Sequence, residues 1–299
     1  MNTHCVQLAC YQQAINYFES WSDYVFTQTK RVSNAVAMGA RWILFPEYGS
    51  MELTSLLSEE AQEDITLQLV ELQQLLPEFL ALHQALSDQY DVLIIAPSVP
   101  VSVGTEFRNR AYLFRPNKPV NFQEKLIMTR FEREQWGITA GTELKVFEFD
   151  AIKFTITICY DCEFPLLARA ACDAGAEIIF VPSCTDTLAG YYRVRVSAQA
   201  RALENQCYVA QSCTIGEATW SAAVDENHGA AAVYTAPDYG WPANGVLEKG
   251  EMDQMQCLFV TLDMAHLRWV RQHGQVLNRR DWPESDLNKI KVVCADESN

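Results

Sequence analysis

Short apolar segments alternate with longer amphipathic segments along most of this chain. The runs "RWILFPE", "DVLIIAPSVP" and "EIIFVPS" are continuous, short and bounded by turn residues, which is typical of buried β-strands. Helical patterns lie between such runs. In residues 23–38, for example, Ser22 can cap the first turn and Gly39 can end the helix. The alternation predicts an α/β fold in which strands are flanked by helices in one layered domain.

The same pattern predicts several local features. Residues 63–89 form a helical stretch that Pro77 divides or kinks, because proline removes a helical hydrogen bond. Two β-hairpins are expected, one around Pro116 and one over residues 145–159. Residues 125–144 are polar and irregular, so they are predicted to form a long loop. Loops of that length within a compact domain usually serve function.

The acidic balance of the chain narrows the classes of partner. Its 299 residues carry a formal net charge of −15, whereas nucleic-acid binding needs Lys and Arg to neutralise phosphates. The same charge disfavours docking to an anionic membrane surface. No apolar run approaches the roughly 18 residues of a membrane-spanning helix, and the N-terminus lacks the pattern of a secretory signal. We therefore expect a cytoplasmic protein that binds neither nucleic acid nor membranes.

The chain contains ten cysteines, which are scattered through apolar runs such as "NQCYVAQSCT" and "MQCLFVTLD". Disulfide frameworks are typical of short secreted chains, and this chain has neither property. Most of these cysteines are therefore expected to be reduced and to serve as small buried residues.

Three chemically active side chains follow apolar runs: Glu47, Lys125 and Cys159. Strand ends are where α/β folds place their sites. Taken singly, Glu and Lys in such positions are usually solvated, and a lone Cys usually packs in a core. As a set they suit a thiol nucleophile, because Glu47 can accept the thiol proton. Lys125 and the backbone N–H of Tyr160 can then stabilise an oxyanion, and Asp161 can cap the turn that follows Cys159.

The segment "TITICYDCEFP" also permits other functions. A strand, Cys159 and Cys162 in C-x-x-C spacing, and a helix make up the arrangement of a thioredoxin-like redox site. A zinc site would need a second ligand pair at metal-binding spacing, which the sequence lacks. A third alternative is a non-catalytic binding or scaffold protein. A redox site leaves Glu47 and Lys125 unexplained, so nucleophilic chemistry is favoured, with Cys162 outside it.

Four spaced segments resemble the nitrilase, or carbon–nitrogen hydrolase, superfamily. "FPEYG" resembles its glutamate motif, "QEKLIMTRFERE" its lysine motif, "ICYDCEFP" its nucleophile motif and "ARALENQCYV" a later helix-to-strand segment. The resemblance extends from the first strand to about Asn278. It implies that Glu47 is the general base, Lys125 the oxyanion partner and Cys159 the nucleophile.

The resemblance also implies a second glutamate that positions the substrate and the lysine. Glu132 is the nearest match, and Glu134 is the alternative. The implied fold is a four-layer αββα sandwich with mixed sheets flanked by helices. Residues 1–278 would form the single domain and residues 279–299 a polar tail. Pairing through the flanking helices would give a homodimer or a larger homo-oligomer.

The implied activity is hydrolysis of a non-peptide carbon–nitrogen bond. A small amide would be the substrate, Cys159 would form a thioester, and ammonia or an amine would be released. No metal or organic cofactor is expected. The same thioester could pass its acyl group to an amine acceptor instead of water, and this alternative stays open.

The substrate pocket is expected to include Glu163, Asp186, Tyr191 and Arg193. Family members that act on dicarboxylate ω-amides tend to carry Arg at the position of Glu163, which suggests a neutral or cationic substrate for this chain. Arg193 and Arg195 complicate that hypothesis, because either could bind an acid group. His228 is expected to be a surface residue.

Overall fold

The computed structural model describes residues 5–286, 288–290 and 293. Its strands are β1 (Cys5–Ala14), β2 (Trp42–Leu44), β3 (Leu93–Ile95), β4 (Val99–Val103), β5 (Glu106–Phe114), β6 (Asn121–Glu124), β7 (Ile138–Thr139), β8 (Val146–Phe149), β9 (Ile152–Ile156), β10 (Ile178–Ser183), β11 (Tyr208–Glu217), β12 (Glu226–Asn227), β13 (Ala232–Tyr234), β14 (Val246–Lys249) and β15 (Gln256–Asp263). Its α-helices are α1 (Trp21–Ala37), α2 (Glu59–Glu63), α3 (Ile65–Glu71), α4 (Leu76–Tyr90), α5 (Pro165–Asp173), α6 (Leu188–Asn205), α7 (Met264–His273) and α8 (Asn278–Asp281).

Hydrogen bonding joins nine of the strands in the order β4-β5-β3-β2-β1-β11-β10-β9-β8. The six consecutive strands β3, β2, β1, β11, β10 and β9 are parallel to one another. The flanking strands β5 and β8 are antiparallel, and β15 and β13 add antiparallel strands to β1 and β11. Parallel strands need crossover connections, and the helices that the sequence predicts between apolar runs supply them.

The sheet curls so that its two halves face each other. In a flat sheet, β2 and β9 would lie about 19 Å apart, because four strand spacings separate them. The ring of Trp42 on β2 nevertheless lies 5.1 Å from that of Phe154 on β9 and 6.0 Å from that of Phe180 on β10. The inner core therefore forms between the two halves of the sheet.

Helices cover both outer faces. Tyr24 and Val32 of α1 and Phe79 of α4 pack with Ile43 and other side chains on the outer face of the first half. Helices α5 and α6 cover the second half through small and branched side chains, which are Ala168, Ala171, Val194 and Ala198. The predicted four-layer αββα arrangement is thereby confirmed.

Two helix boundaries differ from the sequence prediction. The side chain of Ser20, not Ser22, caps α1 by accepting from the Asp23 amide. Pro77 does not divide a helix, because it lies in the first turn of α4, where a missing N–H costs nothing. The stretch is divided just before it, by a 3₁₀ turn at Leu72–Gln74 between α3 and α4, and also at Asp64, which caps α3.

One loop prediction also needs correction. The segment 125–144 contains one turn of π-helix, Glu132–Trp136, followed by the short strand β7. Helix α6 begins at Leu188, because Thr187 caps it by accepting from the Gly190 amide. Tyr191 and Arg193, which are expected in the substrate pocket, therefore lie in the first turns of a helix.

Part of the predicted polar tail is folded. Arg279 donates to the carbonyl of Cys172 at 2.8 Å, and the guanidinium of Arg169 lies 5.2 Å from the ring centre of Trp282. Residues 287, 291, 292 and 294–299 lie outside the described residues. The start of the tail thus packs on α5, and the domain division at residue 278 stays a prediction.

The curled sheet makes Trp42 a central packing residue. We expect Trp42→Ala to lower the free energy of unfolding by about 3–5 kcal/mol, because it leaves a large cavity between the sheet halves. Urea unfolding followed by circular dichroism measures the loss. Trp269→Ala, at a ring that is 45% exposed, is the control and should cost less than about 1 kcal/mol. Equal losses would contradict the packing argument.

Candidate active site

A cavity of about 480 Å³ lies where β2, β6 and β9 end. Glu47 follows β2 by three residues, Lys125 follows β6 directly, and Cys159 follows β9 by three residues. All three line the cavity. The structure therefore brings together three side chains that the sequence places far apart.

Lys125 is the centre of the site. Its Nζ donates to Oε1 of Glu47 at 2.8 Å and to Oε2 of Glu132 at 2.6 Å, and its side chain is only 1% exposed. Burial disfavours the ammonium, but the charges of Glu132 and Glu47 outweigh burial and raise the pKa of Lys125 well above its usual value. The lysine is therefore a permanent cation with two carboxylate partners.

Glu47 is held by backbone and side-chain donors. Nδ2 of Asn109 donates to its Oε1 at 2.8 Å, and the amide of Cys184 donates to its Oε2 at 3.0 Å. Burial raises the pKa of Glu47, Lys125 lowers it and the nearby charge of Glu132 raises it, with a net upward shift. Of the two carboxylates that contact Lys125, Glu47 is thus the one that more readily takes up a proton.

The structure places Glu132, not Glu134, against Lys125. Oε2 of Glu132 also accepts from the amide and hydroxyl of Thr129, both at 2.9 Å, and Oε1 accepts from the hydroxyl of Tyr48 at 2.6 Å. Burial opposes the charge of Glu132, but Lys125 and these hydrogen bonds lower its pKa below the usual value. Glu134 is exposed and pairs with Arg130 at 2.7 Å.

Cys159 occupies a strained turn. Strand β9 ends at Ile156, so the alternating pattern of the sequence extends further than the strand itself. Cys159 then adopts a φ of +48° and begins a 3₁₀ turn that ends at Glu163. A left-handed backbone is uncommon for residues other than glycine, and strained conformations of this kind cluster at functional sites. The conformation turns the chain sharply at the thiol, before α5 begins at Pro165.

The electrostatic surroundings keep the thiol of Cys159 protonated. Burial raises its pKa, the charge of Glu47 raises it further and Lys125 lowers it, with a net shift well above the usual value. Sγ makes a long contact, 3.7 Å, with the carbonyl of Cys184, and its hydrogen bond to the carboxylate of Glu47 raises the pKa of the thiol further. A nucleophilic role would therefore require the thiol to lose its proton as it attacks, and Glu47 is the adjacent acceptor.

Asp161 links the 3₁₀ turn that begins at Cys159 to the residues that follow Lys125, which are called the lysine segment below. Its carboxylate accepts from the amide of Ile158 at 3.1 Å, from that of Leu126 at 3.0 Å and from that of Ile127 at 2.7 Å. The predicted capping contact is present at Ile158, and the two bonds to the lysine segment were not predicted. Burial raises the pKa of Asp161 to about 7, against the opposing effects of Lys125 and the three N–H donors.

A buried ion pair holds the segment that follows Glu47 in place. Tyr48 has a left-handed φ of +52° and leads into a 3₁₀ helix that contains the buried Glu52. Both carboxylate oxygens of Glu52 accept from Arg31 at 2.8 Å, and Oε1 also accepts from Nδ2 of Asn16 at 2.7 Å. This buried ion pair holds the turn that orients Glu47.

Four of the five predicted substrate-binding residues line the cavity: Tyr160, Glu163, Asp186 and Arg193. The prediction for Tyr191 is wrong. Gly190, Arg193 and Val194 share the helix face that lines the cavity, whereas Tyr191 lies off that face and is completely buried in the core. Arg195, like Tyr191, does not line it.

Cys162 lies apart from the site. It is 1% exposed, belongs to the hydrophobic cluster that includes side chains of α5 and α6 and does not line the cavity. The C-x-x-C alternative places both sulfurs in one reactive site, and this geometry does not favour it. His228 pairs with Asp253 at 3.1 Å and also lies outside the cavity lining.

Sequence reasoning missed three contributors to the site: Tyr48, Asn109 and Cys184. Tyr48 directly follows Glu47, so adjacency was an available signal. Asn109 is a buried amide in the middle of β5, and its polarity in "FRNRAY" was the only hint. The amide of Cys184 offers no sequence signal, because any residue could supply it.

Among the described residues, His, Cys, Asp and Glu side chains form no group of three or more suited to holding a metal ion. No helix there combines the length and apolar character that crossing a membrane requires.

Comparison with known proteins identifies the family. The sequence model of the carbon–nitrogen hydrolase family matches residues 7–239. The chain belongs to this family. The resemblance that the glutamate, lysine and nucleophile motifs suggested is thus confirmed.

Curated relatives of this carbon–nitrogen hydrolase family member include "Probable hydrolase YhcX" of Bacillus subtilis. It is 36% identical over 248 residues, which cover 82% of this chain and 48% of that protein. Human deaminated glutathione amidase is 31% identical over 128 residues, which cover 43% of this chain and 36% of that protein. The chain thus spans about half, or less, of the length of these relatives.

Solved structures share the fold. A carbon–nitrogen hydrolase from Helicobacter pylori G27 superposes with a TM-score of 0.76 at 18% identity, over 95% of this chain and 94% of that one. Nit3 of Saccharomyces cerevisiae, a member of the nitrilase superfamily, superposes with a TM-score of 0.71 at 16% identity. The superposition covers 93% of this chain and 97% of that one. At these identities the likeness concerns the fold alone.

The contacts of Asp161 generate a prediction. Asp161→Asn replaces one accepting oxygen by an NH₂ group that faces backbone N–H donors, so we expect unfolding to become easier by about 1–3 kcal/mol. Thermal and urea unfolding measure the change. Glu251→Gln, an exposed change outside helices and strands, is the control and should be neutral. Unchanged stability in Asp161→Asn would show that these bonds do not hold the two segments together.

Proposed function

We propose that this chain hydrolyses non-peptide carbon–nitrogen bonds and acts on a small amide through a thioester on Cys159. The observation that carries the proposal is the Lys125 ammonium held between Glu47 and Glu132 in the cavity that Cys159 lines. Relatives named deaminated glutathione amidase and 2-oxoglutaramate amidase support an amide substrate.

The first half-reaction forms the thioester. Sγ of Cys159 attacks the amide carbon while its proton passes to Glu47, whose raised pKa suits it to accept. The carbonyl oxygen becomes an oxyanion, which the Lys125 ammonium and the backbone N–H of Tyr160 stabilise. The carbon–nitrogen bond then breaks, and the leaving nitrogen takes the proton from Glu47 as ammonia or an amine.

The second half-reaction uses water. Glu47, ionised again, takes a proton from a water molecule that attacks the thioester carbon. The oxyanion forms in the same place, and its collapse expels the sulfur of Cys159, which regains the proton from Glu47. The products are the carboxylic acid and the free thiol, so the enzyme returns to its starting state.

Glu132 acts by positioning in this scheme. Its hydrogen bonds to Tyr48 and Thr129 hold it ionised, and its contact with Lys125 keeps the ammonium aimed at the cavity. Two carboxylates around one ammonium leave the group with one net negative charge. One of the carboxylates can therefore accept a proton without stranding the buried lysine.

We further infer a homodimer or larger assembly in the cytoplasm. Helices α5 and α6 expose large apolar side chains, with Leu166 76%, Val196 58% and Tyr192 47% exposed, and such surfaces are typical of subunit contacts. All nine cysteines of the described residues are free thiols, which agrees with a reducing compartment.

The decisive measurement is ammonia release from a panel of small amides, ureas and nitriles. We expect Cys159→Ala to lower kcat/KM by at least about a thousandfold, because no other thiol can form the acyl-enzyme at that position. Cys162→Ala is the matched control, since it removes a neighbouring thiol that does not line the cavity, and it should retain hydrolysis. No ammonia release from the wild type, together with thiol–disulfide exchange that Cys162→Ala abolishes, would favour the C-x-x-C alternative instead.

The same panel can separate hydrolysis from acyl transfer. Hydroxylamine added to the reaction would trap the thioester as a hydroxamic acid, and mass spectrometry would show the acyl group on the Cys159 peptide. Products that appear only when an amine acceptor is present would make the chain a transferase that uses the same site.

The fall of kcat/KM at low pH, the acid limb of the pH–rate profile, reports on the protonation of Glu47. Because the net shift of its pKa is upward, kcat/KM should fall with an apparent pKa above the ordinary carboxyl value of 4.5. Glu132→Gln removes a negative charge that raises this pKa, so the limb of the residual activity should move to lower pH. A limb that stays in place, or moves upward, would argue against Glu47 as the base.

A further inference from the structure

The cavity around Cys159 carries an excess of negative charge. Its lining contains six carboxyl groups and three cationic side chains, a formal excess of three negative charges. Three of these groups belong to the Glu47–Lys125–Glu132 set. The remaining ones lie around them and are Glu163, Asp186, Asp225, Glu226, Arg130 and Arg193.

The outer cations are already paired. Arg193 lies 3.8 Å from Glu163, and Arg130 lies 2.7 Å from Glu134. Asp186, Asp225 and Glu226, by contrast, form no ion pair with any residue in the described parts of the chain. The free charge around the cavity is therefore acidic, and it lies on these three residues rather than on Glu163.

Two glutamates in register on neighbouring strands add an independent observation. In the antiparallel pair of β11 and β12, Glu217 lies directly opposite Glu226, and Asp225 precedes Glu226 in the hairpin. Carboxylates directly opposite on neighbouring strands repel each other. A bound cation would relieve this repulsion, and tolerated local conflicts of this kind are expected at functional sites.

Aromatic side chains line the same cavity. They include Tyr48, Phe131, Trp136 and Tyr160, and the rings of Tyr48 and Trp136 lie 4.7 Å apart. Carboxylates that surround a metal ion need no aromatic walls, whereas organic cations bind favourably to aromatic faces. The combination of acids and aromatic rings therefore favours an organic cation.

We propose that the cavity selects positively charged organic ligands and that the substrate is a small amide with a protonated amine, guanidinium or quaternary ammonium group. The substrate identity rests on the amide hydrolysis proposed above. The amide carbonyl lies at Cys159, and the cationic group lies toward Asp186 and the hairpin that carries Asp225 and Glu226. The negative charge of these acidic residues attracts such a cation into the cavity. The same charge repels an anionic molecule of the same shape.

The first test compares three amides of equal length that end in an amine, a methyl group or a carboxylate. We expect kcat/KM for the cation to exceed that for the anion by at least about tenfold at low salt. The ratio should shrink between about 0.01 and 1 M salt, as the Debye length falls from about 30 Å to about 3 Å. Wild type that prefers the anion, or does not distinguish the two, overturns the proposal.

Matched variants assign the effect to particular residues. The triple variant Asp186→Asn, Asp225→Asn, Glu226→Gln should bring the ratio close to one. The control triple variant Glu19→Gln, Glu78→Gln, Glu148→Gln removes the same number of charges from exposed positions outside the cavity and should keep the ratio. Equal ratios in the two triple variants would overturn the assignment to the cavity acids.

A second test requires no turnover. Cys159 is labelled with the ethylammonium and the ethylsulfonate forms of a methanethiosulfonate, each of which forms a mixed disulfide and releases methanesulfinate. Mass spectrometry of the Cys159 peptide gives both rates, normalised to the rates with glutathione. We expect the cationic reagent to react at least about tenfold faster, and the cavity triple variant to lose this preference.

The two tests separate the two proposals. A cationic preference in labelling, combined with no hydrolysis of any amide, would refute the proposed activity and leave a cavity that selects organic cations. Hydrolysis that depends on Cys159 but shows no charge preference in either test would support the activity and refute the cationic substrate.

Discussion

The site depends on one buried charge, the ammonium of Lys125. A lysine that is 1% exposed is tolerable only if partners replace its lost hydration, and Glu47 and Glu132 do so at 2.8 and 2.6 Å. Removing either partner would leave a poorly compensated charge in the interior. The positions of β2, of β6 and of the π-helical turn are therefore tied together through a single nitrogen atom.

Backbone geometry brings the thiol of Cys159 close to Lys125 and its two carboxylate partners at an energetic cost. Tyr48 and Cys159 both adopt left-handed conformations, each of which costs of order 1 kcal/mol or more in a non-glycine residue. The hydrogen bonds of Asp161 hold the turn at Cys159 next to the lysine segment. The buried pair of Arg31 and Glu52 likewise holds the turn after Glu47. Rigid supports of this kind place reacting groups accurately, which is what catalysis by a weakly acidic thiol requires.

The elements of the fold were largely predictable, because apolar periodicity reports directly on burial. The runs that became β2, β3 and β10 and the patterns that became α1 and α6 were all visible. Boundaries were less predictable: α6 begins at Leu188 because Thr187 caps it, and Tyr191 therefore lies in the first turn of a helix. A helical turn distributes neighbouring residues around its axis, so Arg193 faces the cavity and Tyr191 faces the core.

The sequence by itself determined the α/β class, the family and the choice of Glu47, Lys125 and Cys159 as candidate site residues, because these depend on local pattern and motif order. Only the tertiary structure decided between Glu132 and Glu134, since the π-helical turn sets which side chain points toward Lys125. It also decided which acidic residues around the cavity are neutralised by arginine. Both outcomes depend on contacts between segments that are distant in sequence, and no local pattern encodes such contacts.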